Sequence, residues 1–527
     1  MADVFDVVVV GGGSNTLTAA AYLARVGKKV LVLEKNAVCG GGVVSIEPAP
    51  GFICDPHATG MVTCLPNPAI AQDELGLASR FGLKWAWAEA TFATVFNDGT
   101  GLITHVDVDR SCDSIARFSH SDANRYREFV AECRQHLPLL IRGFFSPPLP
   151  FGGFIALLEQ SAQGRRLVTA MLSSAYDVVE DLFESPELKM HLLKWVGEMM
   201  LHPETKGTGI VPYLLMGLAH NHPAGAVVGG SGKLTESLLR CIEHYGGTVR
   251  TNAEVIKINV SSGRATGVSL RDGESIAARD AVVGNIHPWD LGDFLEGIDQ
   301  KIIESARRVK LSSHGAINQQ YALAEAPVWK AGPEYAPAML VECLERDMNG
   351  MRRKFDDYRF GRMTGANLSP LAAIQSNHDR TRAPAGRATM YLYHFAPLEL
   401  EDGGLQGWDR RREEVADMIF DELSRYTVNI DRSKVIARHV ETPLDHHRHS
   451  KSMRQGDIFG IGMYVSQMFG RRPIPELAQY RVPGLDGFYL CGPFMHPGGT
   501  VTLGGRATAM KMLMDWKVDL SKAFTAY

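Results

Sequence analysis

Two histidines and several glycine runs are the residues of this sequence whose types and spacing could do chemistry. His496 opens the run His-Pro-Gly-Gly at 496–499, and His57 follows a short apolar stretch at 52–54. An imidazole can exchange a proton near neutral pH, so both histidines are candidate general bases. The alternative for His496 is that it only orients its loop. For His57 the alternative is a buried ring hydrogen-bonded to backbone.

A second group of histidines, the cluster His446, His447 and His449, has the residue types of a metal site without the spacing of one. Imidazoles on a loop more often face solvent, and no helical acid-plus-histidine motif surrounds these three. The eight cysteines form no Cys-x-x-Cys pair, which excludes a zinc site of that spacing and a disulfide-reductase dithiol. We therefore predict no metal site.

The elements that would position a ligand begin at the N-terminus. The valine run 7–10 predicts a buried parallel strand, and the Ala-rich stretch 15–26 predicts a helix. The glycines 11–13 turn the chain between them, and 29–33 predicts a second strand that ends in Glu34. This order indicates a βαβ dinucleotide-binding unit.

Within this unit, Gly11 and Gly13 would let the backbone approach a pyrophosphate at the helix N-terminus. Glu34 lies where an acid should accept the ribose hydroxyls. Thr16 replaces the third glycine of the fingerprint, at the position where a missing side chain normally lets helix and strand pack closely. The alternative is a glycine turn in an ordinary βαβ unit.

Two further glycine segments favour a flavin dinucleotide over a simple nicotinamide one. Gly40, Gly41 and Gly42 follow Glu34 closely, where a plain NAD-binding domain needs no second loop. Near the C-terminus, 488–491 predicts a strand that runs through Gly492 into a helix starting near Gly505. That arrangement would place a second positive helix end beside the cofactor.

Length and composition limit the class of protein. The 527 residues suffice for two or more domains, and 45% hydrophobic with 22% charged residues is typical of a globular protein. The formal charge of −4, with no basic stripe, argues against a nucleic-acid partner. No apolar run reaches the ~18 residues of a membrane span. With the first strand beginning by Phe5, we expect no signal peptide and a cytoplasmic protein.

Between the nucleotide segments, helical patterns dominate residues 65–225, and the predicted helices include 123–141 and 186–201. The apolar run 137–158 carries four prolines, which makes one long helix improbable. We interpret that run as a core-forming loop or a dimer contact, and a lid or membrane-dipping patch is the alternative. The predicted strands 254–260, 265–270, 274–278 and 280–283 form a β-meander after a helix at 234–245. A further helix is predicted at 408–426.

Three blocks together resemble the phytoene-desaturase-like branch of FAD-dependent oxidoreductases, in the glutathione-reductase and amine-oxidase superfamily. They are the N-terminal unit 6–42, the block GGSGKL…EVIKI at 229–258, and LCGPFMHPGG…GGRATA at 490–509. The ETPLD motif at 441–445 and GDIFGIGM at 456–463 fit the phytoene-dehydrogenase-related subgroup better than true phytoene desaturases.

The resemblance implies an α/β fold, with a Rossmann-like FAD-binding domain interleaved with an α+β substrate domain. The first would comprise 1–75, 226–290 and 476–527, and the second 76–225 and 291–475. The cofactor is implied to be noncovalent FAD. The residues implied to hold it are Gly11, Gly13, Ser14, Asn15, Glu34, Lys35, Gly41, Gly42, Val255 (through its backbone), Gly492, Gly499, Thr500 and Val501. Thr500 stands where the family usually has a third glycine.

The implied function is a dehydrogenase or desaturase that takes hydride from a carbon of an apolar, isoprenoid or alicyclic substrate. A redox-neutral double-bond isomerase and a noncatalytic flavoprotein are the alternatives. With one dinucleotide fingerprint and no Cys-x-x-Cys pair, electrons are expected to leave to oxygen, a quinone or a carrier protein. A peripheral membrane contact and a homodimer are further possibilities. His496 is the first candidate for the base and His57 the second.

Overall fold

The computed structural model of the protein describes residues 4–499 and 501–526. Its β-strands, in chain order, are β1 (Phe5–Val10), β2 (Val30–Leu33), β3 (Ile46–Ala49), β4 (Phe52–Cys54), β5 (Trp85–Ala88), β6 (Ala90–Phe96), β7 (Gly101–His105), β8 (Ala224–Val227), β9 (Thr248–Arg250), β10 (Val255–Ser261), β11 (Arg264–Leu270), β12 (Ser275–Gly284), β13 (Gly315–Leu323), β14 (Ala338–Leu344), β15 (Leu371–Ala373), β16 (Ala388–Ala396), β17 (Val435–Glu441) and β18 (Phe488–Leu490).

The α-helices are α1 (Ser14–Arg25), α2 (Pro68–Ala71), α3 (Val108–Ala116), α4 (His120–Phe144), α5 (Phe151–Leu158), α6 (Ala162–Leu172), α7 (Ala175–Leu182), α8 (Pro186–Gly197), α9 (Val211–Ala219), α10 (Gly232–His244), α11 (Leu291–Phe294), α12 (Gln300–Arg307), α13 (Met348–Arg359), α14 (Gln375–His378), α15 (Trp408–Ser424), α16 (Pro443–His449) and α17 (Gly505–Asp515). No helix among the described residues combines the length and the apolar character needed to cross a bilayer.

One sheet has the parallel core of a nucleotide-binding fold. Its strands run in the order β10-β11-β12-β1-β2-β9. β18 pairs in parallel with residues 282–284 of β12. β1 pairs in parallel with both β2 and β12, and all six residues of β1 are buried. The unbroken apolar run of β1 therefore reflects burial on both faces, with α1 packed against the strand.

The β-meander differs from the prediction at its last strand. The two predicted strands 274–278 and 280–283 form one continuous strand, β12. Residues 275–277 of β12 pair antiparallel with β11, and residues 278–284 pair in parallel with β1. The gap between the two predicted strands fell at Arg279, which lies where one strand passes from the meander into the parallel sheet.

A second sheet carries the other layer of the molecule, in the order β17-β13-β16-β15-β14-β6-β7. Every pair in it is antiparallel except β14 with β6. Its strands all come from 76–225 and 291–475, whereas those of the first sheet all come from 1–75, 226–290 and 476–527. The domain boundaries themselves stay a prediction.

Residues 65–225 contain more β-structure than their helical patterns indicated. β5, β6 and β7 form between 85 and 105, and β8 pairs antiparallel with β5. Short alternating strands such as Trp85–Ala88 gave no long apolar period. The run 137–158 does not form one helix, which confirms the prediction. Pro138, however, lies inside α4 and does not end it.

A buried ion pair lies between the hairpin β3-β4 and the segment before β16. Asp55, just after β4, contacts the Arg382 guanidinium at 2.6 Å, and both side chains are fully buried. Arg382 also donates to the Val227 carbonyl at 2.7 Å, while Asp55 accepts from the Ser231 amide at 2.7 Å. The pair thus ties the hairpin β3-β4 to the residues that precede α10.

Replacement of Arg382 by methionine is expected to lower the free energy of unfolding by about 3–5 kcal/mol, because Asp55 would remain buried without its counter-charge. The measurement is the urea midpoint of the variant against wild type. Arg380→Met, two residues away at an exposed position, is the matched control and should leave the midpoint within experimental error. Equal midpoints for both variants would refute a stabilising junction.

Candidate nucleotide and substrate site

A cavity of about 300 Å³ opens where the two N-terminal glycine loops meet the second sheet. Gly13 and Gly40 form an isolated parallel bridge, and the Gly40 amide donates to the Gly12 carbonyl at 2.7 Å. The predicted cofactor residues that line the cavity are Gly13, Ser14, Asn15, Gly41, Gly42, Gly492, Gly499 and Val501. Residues distant in sequence therefore meet at one site.

The N-terminus of α1 faces this cavity without a side-chain cap. Its N-cap is Gly13, and the first turn contains no acidic residue. A Cβ atom built on Gly13 would meet nothing within 4 Å, so the space beside the first turn is open. Backbone N–H groups with the positive end of the helix dipole make such a terminus a site for an anion.

Thr16 occupies the position of the third glycine of the fingerprint, and hydrogen bonds hold its side chain there. Its hydroxyl donates to the Gly11 carbonyl at 2.6 Å, and the Gly13 carbonyl lies at 3.0 Å. The side chain is 1% exposed. The departure from the fingerprint therefore stiffens the loop instead of opening the helix–strand contact.

Glu34 lies behind the loop rather than in the wall of the cavity. Its two carboxylate oxygens accept from the Gly12 amide at 2.7 Å and the Asn36 amide at 2.8 Å. Each oxygen keeps a second lone pair for a ribose hydroxyl. The Ala253 amide donates to the Glu34 carbonyl at 2.8 Å, which brings the start of β10 and the buried Val255 next to this acid.

Gly11 and Lys35, which are also among the residues implied to hold the cofactor, lie outside the cavity wall. Gly11, at the end of β1, has φ +93°, a conformation that favours glycine. Lys35 follows the acid and is half-buried, and burial, more than the nearby Lys451, lowers the pKa of its ammonium group. Neither residue contributes to the cavity surface itself.

Glu34→Ala is expected to lose most bound flavin, because it removes both the backbone contacts of the loop and the ribose acceptor. The measurement is flavin absorbance per protein after gel filtration. Glu34→Gln is the matched variant: it keeps one acceptor oxygen and the size of the side chain, so it should retain more flavin than Glu34→Ala. Full occupancy in Glu34→Ala would show that the acid makes no ribose contact.

The C-terminal loop reaches the cavity through Gly492, Gly499 and Val501; Thr500 lies outside the described residues. Arg472, fully buried, supports this loop by donating to the Pro493 carbonyl at 2.8 Å. α17 begins at Gly505, as predicted, and a Cβ on Gly505 would come within 1.8 Å of the Asn15 carbonyl oxygen. The starts of α1 and α17 thus pack directly together.

His496 does not reach the cavity, contrary to expectation. Its Nε2 lies 2.8 Å from the Gly143 carbonyl oxygen, and its ring stacks near Phe144 with centroids 6.3 Å apart. The residue is 3% exposed, and burial lowers the pKa of His496 to about 4. The Tyr480 hydroxyl also donates to the His496 carbonyl at 3.2 Å. The structure therefore favours the alternative in which His496 orients its loop.

His57 does line the cavity, on the side of the second glycine loop. Its Nε2 lies 3.4 Å from Glu441 Oε2, and its ring lies next to those of His446 and His449. Burial lowers the pKa of His57 to about 3, so the ring is neutral at pH 7. The alternative of a ring hydrogen-bonded to backbone is not observed, because neither ring nitrogen makes a hydrogen bond among the described residues.

The interpretation of the second histidine cluster as a solvent-facing loop was wrong in two respects. His446, His447 and His449 lie on the short helix α16, and His446 is 0% exposed. A capping box formed by Thr442 and Asp445 starts that helix. The motif Glu-Thr-Pro-Leu-Asp is therefore a helix start signal that turns His446 inward.

A charged group that the sequence did not reveal lies in the cavity wall. Glu198, one residue beyond α8, lines the cavity, and burial raises the pKa of its carboxyl well above the usual range. Lys194 lies 3.6 Å from it and bonds both oxygens of the fully buried Glu342, at 3.0 and 2.9 Å. Lys194 and Glu198 stand four residues apart in an otherwise apolar segment, the one signal that could have found them.

Aromatic and aliphatic side chains surround Glu198. The Phe92 and Trp195 rings lie 3.8 Å apart, and Tyr391 and Tyr393 point the same way from β16. A second, smaller chamber of about 60 Å³ adjoins the cavity, and both are lined by Thr63, Met199 and Gly499. Its other walls are mainly apolar and include Leu140, Phe144, Phe145, Met468 and Phe469. An extended apolar molecule could occupy both spaces.

These features fit a flavin dinucleotide. The uncapped end of α1 suits a diphosphate, Glu34 suits a ribose, and the loop at Gly499 joins the nucleotide side to the apolar side. The open space at Gly13 is a cradle that any side chain would fill.

Comparison with known proteins agrees with this arrangement. The model of the NAD(P)-binding Rossmann-like domain family matches residues 9–72. Pyridine nucleotide-disulfide oxidoreductase domain-containing protein 2 of Mus musculus is 30% identical over 97% of this chain and 94% of its own length. One of the subunits of limonene dehydrogenase from Castellaniella defragrans is 27% identical over 96% of this chain and 94% of its own.

An all-trans-zeta-carotene desaturase of Myxococcus xanthus is 24% identical over 94% of this chain and 90% of its own. The match to the mouse protein spans nearly both chains at 30% identity, which is enough to establish common descent. Together with the glycine loops, the C-terminal block and the Rossmann-like sheet, it decides the assignment. The chain belongs to the phytoene-desaturase-like family of flavin-dependent oxidoreductases.

Proposed function

We propose that the protein binds one FAD noncovalently and takes a hydride from a carbon of an apolar substrate. The observation that carries this proposal is the continuity of the cavity: one wall holds the nucleotide loops, and the other opens into an apolar chamber. When bound, the flavin supplies a two-electron acceptor for the hydride. The protein supplies the binding loops, the enclosure and a proton acceptor.

The substrate class follows from the chamber. Its lining offers almost no hydrogen-bonding surface, so an isoprenoid or alicyclic hydrocarbon fits better than a polar metabolite. Two relatives named for limonene and for a carotene support this class. Phe144 and Phe145 place part of the run 137–158 in the chamber wall, which supports its interpretation as core-forming.

Glu198 is the group that we assign to the proton lost from the adjacent carbon. Glu198 lines the cavity, and among the described residues its Oε1 makes no hydrogen bond, with Lys194 Nζ at 3.6 Å. A carboxylate with a raised pKa is a stronger base than an ordinary one. His57 also lines the cavity but faces Glu441, and the structure does not bring His496 there.

Because Glu198 must be ionised to accept a proton, the rate of the chemical step should increase as pH rises through the raised pKa of its carboxyl. The measurement is the anaerobic rate of flavin bleaching by substrate between pH 5 and 9. In Glu198→Gln this rise should be absent. A wild-type rate that falls with increasing pH would contradict this role for Glu198.

Anaerobic incubation with limonene and with a carotene tests the reaction itself. A desaturase bleaches its flavin and releases a product with one more double bond. Double-bond rearrangement without bleaching would favour an isomerase, in which the protonated form of Glu198 could act as an acid. Binding without either change would favour a noncatalytic flavoprotein.

Electron transfer onward is proposed to go to oxygen, a quinone or a carrier protein. This route rests on the single dinucleotide fingerprint of the sequence, and the described residues form one nucleotide-binding sheet. Rapid bleaching by NADPH alone would overturn this route. The cytoplasmic location, a peripheral membrane contact and a homodimer stay predictions.

A further inference from the structure

Three side chains from separate segments converge beside the second glycine loop. They are His57 after β4, Glu441 at the end of β17, and His446 on α16. One ligand atom from each lies within 4.8 Å of the other two. The His57 and His446 Nε2 atoms lie 3.4 and 3.8 Å from the same carboxylate oxygen, Glu441 Oε2. The cluster is enclosed, with side-chain exposures of 7%, 15% and 0% for His57, Glu441 and His446.

The facing polar atoms lack the partners that buried groups normally have. Among the described residues, both ring nitrogens of His57, both of His446, and Glu441 Oε2 make no hydrogen bond. Buried polar atoms without a partner are few in native proteins and call for an explanation, such as an ion that they hold. Three of these five atoms, one from each side chain, lie close enough together to share one ligand.

We propose that His57, Glu441 and His446 bind a divalent first-row transition metal such as zinc. Two imidazoles and one carboxylate are an established donor set for Zn²⁺ and Fe²⁺. Metal–ligand bonds of about 2.0–2.1 Å put neighbouring ligands of a tetrahedral centre about 3.3 Å apart. The observed 3.4 and 3.8 Å to Glu441 Oε2 differ from this value by at most a few tenths of an ångström, and the two imidazoles offer ligand atoms within 4.8 Å of each other.

The surroundings of the cluster support a metal ligand role for the carboxylate. Its second oxygen, Glu441 Oε1, lies 2.9 Å from His439 Nε2, so the group is held in orientation from the outside. The capping box of α16 fixes the helix that carries His446. The His449 ring lies beside that of His57, but its Nε2 contacts the Gly41 carbonyl oxygen at 3.0 Å. This contact links the cluster to the glycine loop.

The proposed centre has an open coordination position on the cavity side. Three protein ligands leave a tetrahedral metal one site for an exogenous ligand. His57 is both a ligand and part of the cavity wall, so water or an oxygen-bearing molecule could reach the metal from the cavity. The sequence prediction of no metal site is replaced by this proposal, because it assumed that His446 faces solvent.

The experiment is metal analysis and Zn²⁺ titration of the flavin-loaded protein. Plasma mass spectrometry after gel filtration should find one equivalent of metal in protein incubated with Zn²⁺, and after that metal is removed with a chelator, calorimetry with Zn²⁺ alone should show one site per chain. His446→Ala and the near-isosteric Glu441→Gln should each weaken Zn²⁺ binding about 100-fold or more, since even outer-shell partners contribute 10–100-fold. Both variants should retain their flavin.

His447→Ala is the matched control, because His447 is on the same helix but faces the Gln455 amide, with 3.3 Å between His447 Nδ1 and that nitrogen. Its Zn²⁺ affinity should equal that of wild type. Zn²⁺ should also raise the melting temperature of wild type and not of Glu441→Gln. The proposal would be overturned if wild type bound no stoichiometric Zn²⁺, or if His447→Ala lost as much Zn²⁺ affinity as His446→Ala. Neither result depends on enzymatic activity.

Discussion

Gly13→Glu is expected to give a folded protein with almost no flavin. Gly13 has φ −76°, which any residue adopts, and its Cβ position is in open space, so the backbone should not be strained. A carboxylate at a helix N-terminus is itself favourable. In this position, however, it would occupy the anion site and repel the diphosphate at close range, where like charges interact by about 1–4 kcal/mol.

The measurement is flavin absorbance per chain, with circular dichroism and the melting temperature of the apoprotein as the tests of folding. Gly153→Glu is the matched control, since Gly153 is exposed in α5 and a Cβ there would also meet nothing within 4 Å. That variant should be as yellow as wild type. Normal flavin content in Gly13→Glu would mean that the diphosphate binds elsewhere.

Glu198→Gln is expected to slow the chemical step by about 10²–10⁴-fold, the range for loss of a general base. The amide keeps the size of the side chain, and Glu198 does not belong to the nucleotide loops, so flavin content should be unchanged. Stopped-flow bleaching of the flavin by substrate under anaerobic conditions measures the effect directly.

Two comparisons separate this role from a structural one. Glu128→Gln, at a surface ion pair with Arg125, should bleach at the wild-type rate. His496→Ala should also bleach near the wild-type rate if His496 only supports its loop, although it should lower stability. A Glu198→Gln enzyme that bleaches normally would remove Glu198 as the proton acceptor.

The nucleotide-binding unit could be predicted from the sequence because its signals are local. The valine run of β1, the glycine turn and the Ala-rich α1 each specify their own conformation, and the observed bounds differ from the predicted ones by one or two residues. The same holds for α17 and β18 near the C-terminus. Strand and helix periods are readable where burial is uniform.

What could not be predicted depends on contacts between distant segments. Glu198 is notable only because α8 packs against β14, which brings Glu342 to Lys194. His446 looked like one of three equivalent imidazoles until the capping box at Thr442 set the direction of α16. His496 was placed at the cavity by its glycine neighbours, yet the Gly143 carbonyl holds the ring away from it. Each outcome was decided by tertiary packing.

The contact between the starts of α1 and α17 has a consequence for synthesis on the ribosome. The Asn15 side chain accepts a hydrogen bond from the Gly504 amide at 2.8 Å, and Asn67 donates to the Thr502 carbonyl at 2.8 Å. Asn15 and Asn67 can therefore complete these tertiary contacts only after residues 502–504 have been synthesised. Because Gly492, Gly499 and Val501 line the cavity as well, cofactor loading should follow synthesis of that segment, and β1 lacks its neighbour β12 until residues 275–284 have been made.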